Sequence, residues 1–75
     1  MDNFRDWKMI DGRTIRFLVD DQYIWSICGP FRAKYPYAEL NKMIELHGKI
    51  LTPKQLKDVK AFVIEQREPP QLSLF

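Results

Sequence analysis

The first 30 residues alternate between apolar and polar positions in three short runs. The runs read "FRDWKMI", "RTIRFLV" and "QYIWSIC", and β-branched and aromatic residues are frequent in them. A period of two is typical of a strand that buries one face. The dipeptide "DG" between the first two runs favours a tight hairpin turn, "DD" ends the second run and "GP" ends the third. The pattern predicts a three-stranded antiparallel meander.

The same alternation predicts which face of this meander is buried. Every second residue of a strand points to the same side, so each strand offers one set of core residues. The expected core residues are Ile15, Phe17 and Val19 on the second strand and Tyr23, Trp25 and Ile27 on the third. Leu18, Ile24 and Cys28 fall on the opposite face, which is therefore not fully polar and is open to cover by a helix or a partner.

From Pro36 onward the apolar spacing changes to that of a helix. Pro36 suits a first helical position and Gly48 suits the left-handed residue just past the end, so the first helix is predicted from about Pro36 to His47. Its apolar stripe is Tyr37, Leu40, Met43, Ile44 and His47.

A second helix is predicted to begin at "TPKQ". Thr52 can cap this helix, Pro53 occupies its first turn and Gln55 completes a capping box. The helix should end near Gln66, because the two following prolines cannot continue it. Its apolar stripe is Leu56, Val59, Phe62 and Val63. The predicted fold class is α+β: one small domain over residues 1–66 and a flexible, extended C-terminal tail over residues 67–75.

Composition and charge limit the classes of protein to which this chain can belong. Seventy-five residues make one domain at most, and the net charge of +2 is too small to indicate a nucleic-acid partner by itself. The apolar runs are far shorter than the roughly 20 residues of a membrane-spanning helix. The start "MDNFRDWK" has no apolar signal core, so we expect a cytoplasmic protein. A single cysteine, Cys28, fits a reducing compartment, and we expect it to be a small buried side chain.

The last five residues read "QLSLF" and follow two prolines. They resemble the pentapeptide by which bacterial replication and repair proteins bind the sliding clamp, the ring-shaped beta subunit of DNA polymerase III. That pattern is Gln, Leu, Ser or Asp, Leu, Phe, and this tail matches it at every position. At average residue usage, a chance match to this pattern at one prescribed place has a probability on the order of one in a million. Because many short motifs exist, a chance match to any one of them is more frequent than that. The rest of the chain carries no such resemblance.

The resemblance implies a role for each residue of the pentapeptide. Gln71 hydrogen-bonds at one edge of the clamp's cleft, while Leu74 and Phe75 fill an apolar pocket. Leu72 makes a shallower contact, and Ser73 stands at the tolerant position. The implied function is a non-catalytic clamp binder that modulates or inhibits DNA replication or is recruited for repair, and its small size fits a phage or mobile-element product. The alternative for the tail is structural, with its apolar side chains covering an open face of the sheet.

A different function is indicated by the basic residues around the second helix. They can form a strip that contacts DNA phosphates, and a helix, a turn and a second helix are similar to helix-turn-helix DNA binders. The candidate DNA-binding residues are Lys49, Lys54, Lys57, Lys60 and Arg67. Asp58 and Glu65 interrupt this strip, and an ordinary solvated helix face explains it equally well. The alternative function is thus a small DNA-binding regulator with a structural tail.

The remaining candidate residues favour structural roles. His47 is the only histidine, has no second metal ligand nearby in sequence, and is expected to bond the last carbonyls of its helix. Asp20 and Asp21 are expected to form a turn, and Trp7 and Tyr35 to pack against the sheet rather than mark a second binding surface. Since no nucleophile–base set, phosphate loop or metal cluster is present in the sequence, we expect no enzyme activity, no cofactor and no metal.

Overall fold

The computed structural model describes residues 3–67, and a four-stranded antiparallel sheet in the order β1-β2-β3-β4 precedes two helices. The strands are β1 (Phe4–Lys8), β2 (Thr14–Val19), β3 (Tyr23–Cys28) and β4 (Phe31–Pro36). A 3-10 turn (Tyr37–Glu39) leads into α1 (Leu40–Leu46), and α2 (Pro53–Arg67) follows. The α+β class agrees with the sequence prediction, but the prediction of three strands is wrong. Within residues 3–67, no helix is long and apolar enough to cross a membrane.

The missed strand, β4, begins directly after the "GP" dipeptide that was expected to end the sheet. Gly29 has a φ of 59°, which fits the first central position of a type II′ hairpin turn, where glycine is the preferred residue. Pro30 occupies the second position, where its missing N–H costs no ladder bond. The chain therefore reverses at these two residues, and Cys28 pairs with Phe31.

The first predicted hairpin is confirmed, with a longer turn than the dipeptide "DG" alone. The amide of Gly12 donates to the carbonyl of Met9 at 2.9 Å, and the amide of Met9 donates to the carbonyl of Arg13 at 2.7 Å. Only Gly12 of the "DG" pair has a positive φ, 96°. This is the pattern of a three-residue loop that ends in a left-handed glycine.

The buried face of β2 was predicted correctly, and that of β3 was not. Ile15, Phe17 and Val19 are buried as expected. On β3 the buried residues are instead Ile24 and Ser26, because the register pairs Val19 with Ile24 and Phe17 with Ser26. Paired residues share a face, so the expected core residues Tyr23, Trp25 and Ile27 lie on the other side of the sheet, each half-buried. Leu18, also half-buried, lies with them, whereas Ile24 and Cys28 face the helices.

The first helix begins later than predicted. Pro36 is the last residue of β4 and precedes the 3-10 turn, and α1 starts only at Leu40. The prediction that Gly48 adopts the left-handed conformation is wrong, because its φ is not positive. A Cβ at this position would lie 3.2 Å from the Glu45 carbonyl oxygen. The expected apolar stripe holds, with Met43 and His47 buried.

The predicted start of α2 is confirmed by a reciprocal capping box. The Gln55 amide donates to Thr52 Oγ1 at 3.1 Å, and the Thr52 amide donates to Gln55 Oε1 at 2.9 Å. Gln55 Nε2 also donates to the Lys8 carbonyl at 2.6 Å, which attaches the start of α2 to the end of β1. The described part of the helix reaches Arg67, one residue beyond the predicted Gln66.

The core lies between one face of the sheet and the two helices. Its buried apolar residues are Trp7, Met9, Ile15, Phe17, Val19, Ile24, Met43, Leu51, Val59, Phe62 and Val63. The Trp7 ring meets Phe17 and Phe62 edge-on at centroid distances of 5.6 and 5.7 Å. Trp7 and the half-buried Tyr35 pack with the core, as expected. Because both helices cover the same face, the opposite face of the sheet carries neither of them.

Candidate functional site

The predicted clamp-binding residues, 71–75, lie outside the residues that the structure describes. The described chain reaches Arg67 at the end of α2. What the structure shows is therefore the body that carries this peptide, together with the surfaces that the body presents.

The basic strip predicted on α2 is only partly assembled. Lys54, Lys57 and Lys60 are exposed and recur at every third position, on the side of α2 away from the buried residues. The Arg67 guanidinium instead lies 4.1 Å from the centre of the Tyr37 ring. Lys49 is exposed in the turn between α1 and α2. The structure thus groups the three lysines and places the other two cations elsewhere.

An acidic residue lies within this lysine group. Lys54, Lys57 and Asp58 line one open groove of ≈ 510 Å³ beside Trp7. The Asp58 carboxylate accepts a hydrogen bond of 2.9 Å from Trp7 Nε1 and so belongs to the packing of α2 on the sheet. An anion bound at the lysines therefore meets a fixed negative charge nearby, and DNA contact by this strip stays a prediction.

The face of the sheet that carries no helix combines aromatic and basic side chains. We call it the outer sheet face. It follows from the pairing register, which places these residues on one side: Phe4, Asp6, Lys8, Thr14, Arg16, Leu18, Tyr23, Trp25, Ile27, Arg32, Lys34 and Pro36. Four of these side chains are cationic and one is anionic. Sequence reasoning missed this surface because it assigned its largest residues to the core.

Two of the four cations of the outer sheet face, Arg16 and Lys34, lie over its aromatic rings. Lys34 Nζ is 4.5 Å from the centre of the Tyr23 ring and 5.7 Å from that of Trp25. On the β1 side, the Arg16 guanidinium lies 4.1 Å from the centre of the Phe4 ring and also forms an ion pair with Asp6 at 2.7 Å. Cation–π contacts of this kind position a charge above a ring.

The orientation of Trp25 is set by Asp20, which follows β2. Trp25 Nε1 donates to Asp20 Oδ2 at 2.7 Å, while Asp20 Oδ1 accepts from the amides of Gln22 and Tyr23 at 2.7 and 2.6 Å. The Trp25 hydrogen bond, followed by these two backbone donors, holds the pKa of Asp20 below its ordinary value of 3.8. Asp20 is thus the turn residue that the sequence predicted and also an anchor for the indole.

The buried polar groups have a structural role. His47 Nδ1 donates to the Met43 carbonyl at 2.7 Å, and its Nε2 lies 2.9 Å from the Ser26 hydroxyl. The expectation that His47 bonds a carbonyl near the helix end is confirmed. Cys28, which is half-buried rather than fully buried, contacts Met9 through sulfur at 3.7 Å. Over residues 3–67, no cluster of three or more His, Cys, Asp or Glu residues is placed to hold a metal ion.

The signals for the missed surface were present in the sequence. "FRAKY" alternates apolar and basic residues with a strand period, and "YIWSIC" is apolar on both of its faces. When both faces of a strand are apolar, the alternation of apolar and polar residues does not determine which face is buried, and tertiary packing decides it.

Comparisons of this chain with protein-family models, with curated proteins and with solved structures find no match.

Proposed function

We propose that this protein binds the bacterial sliding clamp, the beta subunit of DNA polymerase III, through residues 71–75, and that it acts in the cytoplasm. The observation that carries the proposal is the match of "QLSLF" to the clamp-binding pattern at all five positions. Bound in the clamp's cleft, the peptide would exclude other proteins that use the same cleft. The protein then either inhibits replication by competing with polymerases or is itself recruited to DNA for repair.

The body supports this proposal because it builds a core from residues well before the peptide. The buried apolar residues of the described chain run from Trp7 to Val63. Both helices and all four strands supply either buried core residues or partly buried apolar residues that pack against the core. A segment that binds a partner must not be required by the protein's own core, and a core packed among residues 7–63 supports that condition for the body as far as it is described.

The spacing between body and peptide supports competition. Three residues, "EPP", separate Arg67, the last described residue of α2, from Gln71. At about 3.3–3.6 Å per residue they reach on the order of 10 Å, so the body must lie against the clamp when the peptide is bound. Proline-rich segments are extended before binding, which lowers the entropy cost. A body held this close hinders a second protein sterically and can add contacts through its effective concentration.

The affinity of the peptide alone should be modest. Burial of Leu74 and Phe75 contributes about 1.5–3 kcal/mol each. Ordering costs of about 0.5–1.5 kcal/mol per immobilised side chain offset part of this. A dissociation constant around micromolar, near −8 kcal/mol, is the expected scale.

Calorimetry with purified clamp and peptides that span residues 67–75 tests the proposal. Replacing both Leu74 and Phe75 with alanine should abolish detectable binding, because the pocket loses its apolar contacts. Gln71→Ala should weaken binding by an intermediate amount, since one hydrogen bond is worth about 0.5–1.5 kcal/mol net. Ser73→Asp is the matched control and should bind like the natural sequence. Equal binding by the double-alanine peptide would refute the proposal.

A primer-extension assay with clamp-dependent polymerase then separates the two modes of action. A competitor lowers extension in proportion to clamp occupancy, and this effect disappears with the variant that lacks residues 71–75. A recruited protein leaves extension unchanged at the same occupancy.

A further inference from the structure

We propose that the outer sheet face binds single-stranded DNA, with bases stacked on Tyr23 and Trp25 and with phosphates held by Arg32 and Lys34. This is a second binding function, on a surface formed by the described residues and separate from the clamp-binding peptide.

The two aromatic side chains form a platform for bases. Tyr23 and Trp25 are separated by one residue on β3, so they lie side by side, about 7 Å apart along the strand. Both are half-buried, so part of each side chain meets solvent. Lys34 Nζ lies over both rings, so a stacking base has to displace this flexible side chain, whose charge is then available to a phosphate. Aromatic rings on an open surface bind unpaired bases by stacking, with little sequence preference.

The flanking strand supplies positive charge for the backbone of the nucleic acid. Lys34 pairs with Trp25, and Arg32 pairs with Ile27, so both cations stand beside the platform on β4. Both are exposed, and among the described residues neither forms an ion pair, unlike Arg16, which is bound to Asp6. Since β4 is an edge strand, phosphates can approach these cations from the side of the sheet.

The position of Asp20 determines the path that a bound DNA strand can take across the outer sheet face. Its carboxylate holds the Trp25 indole through Nε1 and so fixes the ring before any base arrives. The same negative charge repels phosphates at that end of β2. The nucleic-acid backbone is therefore expected to run along β4, where Arg32 and Lys34 lie, and the bases to point inward over β3.

Other occupants fit this surface less well. A second copy bound through the same face would be related by a two-fold axis and would bring the cationic surface of one copy against that of the other. The chain's own residues 71–75 carry no charged side chain and would leave Arg32 and Lys34 unpaired. In duplex DNA the bases are stacked on one another and cannot reach the rings. The choice of DNA over RNA rests on the proposed function, because the clamp acts on DNA.

Fluorescence anisotropy with a labelled oligothymidylate tests this inference without any clamp present. The full-length protein and the variant lacking residues 71–75 should bind equally. Trp25→Ala should weaken binding about 5- to 150-fold through loss of one stacked base, whereas Trp25→Phe should retain most of it. Replacing Arg32 and Lys34 with glutamate should weaken binding and reduce the slope of log affinity against log salt by about 1.4, which corresponds to two phosphates of a single strand.

The matched control reverses the same number of charges on α2, with Lys57→Glu and Lys60→Glu. It should leave binding unchanged, and unaltered circular dichroism of every variant verifies that the fold persists. A loss of binding in the α2 variant alone would overturn the inference and assign DNA contact to the helix. Tighter binding of oligouridylate or of duplex DNA would overturn the choice of ligand. Loss of binding on removal of residues 71–75, or a stable dimer that does not bind the oligonucleotide, would overturn the assigned surface.

Discussion

Asp20 connects the turn after β2 to both faces of the sheet. Its side chain accepts hydrogen bonds from Trp25 on the outer sheet face and from two backbone amides of its own turn. Its carbonyl accepts a hydrogen bond from the Tyr37 hydroxyl, which reaches it from the segment that precedes α1. One residue thus orders the β2–β3 hairpin, the indole and the entry into the helical half of the fold.

The first prediction concerns the acid stability of this contact. Because the folded pKa of Asp20 is lowered, its contribution to stability is complete above the ordinary pKa of 3.8 and is lost as the pH falls through the folded value. Asp20→Asn should lower the melting temperature at neutral pH, because asparagine has one acceptor oxygen where aspartate has two. It cannot accept from the two backbone amides with one side-chain atom and from Trp25 Nε1 with the other. The same variant should also show a flatter loss of stability below pH ~4 than the natural protein.

Thermal unfolding followed between pH ~7 and pH ~2.5 checks this expectation. Asp21→Asn removes the same charge from the neighbouring residue and serves as the control. If both variants unfold alike over the whole range, the Trp25 contact does not stabilise the fold.

Part of this residue's role could be predicted from the sequence. Asp20 follows a strand, and a carboxylate readily bonds amides two and three residues ahead, so its place in a turn is a local property. The Trp25 contact depends on which side of β3 the indole occupies. That side is decided by the register against β2, which is not local.

At the scale of elements, the β3–β4 hairpin decides the extent of the sheet. Gly29 adopts a φ of 59°, and a Cβ built there meets nothing within 4 Å. A side chain at this position therefore destabilises the fold only through the strain of a positive φ and not through a steric clash. This hairpin also places Arg32 and Lys34 beside the aromatic platform, so the second proposed function depends on it.

Gly29→Ala should destabilise the protein by about 1–2 kcal/mol, the penalty of an L-residue in the left-handed region. Gly29→Asn should cost less, because asparagine, after glycine, is among the residues that occupy the positive-φ positions of primed turns. Chemical denaturation monitored by circular dichroism measures both. For a domain of this size, 1 kcal/mol corresponds to about 4–8 °C in melting temperature. Equal losses from alanine and asparagine would show that the conformation of Gly29 is not what limits the hairpin.

At the scale of the whole molecule, the candidate surfaces are formed by different residues. The outer sheet face lies on the side of the sheet that carries no helix, and the lysine group lies on the exposed side of α2, where Lys54 and Lys57 line the groove beside Trp7. The peptide for which we propose clamp binding, residues 71–75, follows α2 in sequence. A protein that binds clamp and DNA at once needs such separation, since the two ligands then do not compete for the same residues.

Removal of residues 71–75 should leave the stability of the body almost unchanged. The described core is formed by residues up to Val63, whereas loss of a packed leucine or phenylalanine from a core typically costs about 2–5 kcal/mol. Differential scanning calorimetry of the shortened and full-length proteins measures the difference. A decrease of more than a few degrees would instead support the alternative in which these side chains cover the sheet.

The sequence by itself determined the features that depend on neighbouring residues. The capping box at Thr52 and Gln55, the buried stripe of α2, the first hairpin and the α+β class all follow from local spacing and turn chemistry. The resemblance of "QLSLF" to clamp-binding peptides is also a property of the sequence alone, and clamp binding stays a prediction because these residues lie outside the described ones.

Tertiary structure alone decided which face of β3 is buried. Both faces of this strand are apolar, so local alternation permits either choice. The face of Ile24 and Ser26 is the buried one, since Ser26 leaves room for His47, which packs against Phe17 at a centroid distance of 5.2 Å. The larger Tyr23 and Trp25 are consequently left on the outer sheet face. The presence of β4 also depends on tertiary structure. The dipeptide "GP" can either end a sheet or form a hairpin turn, and here the turn forms because the residues after it pair along the whole of β3.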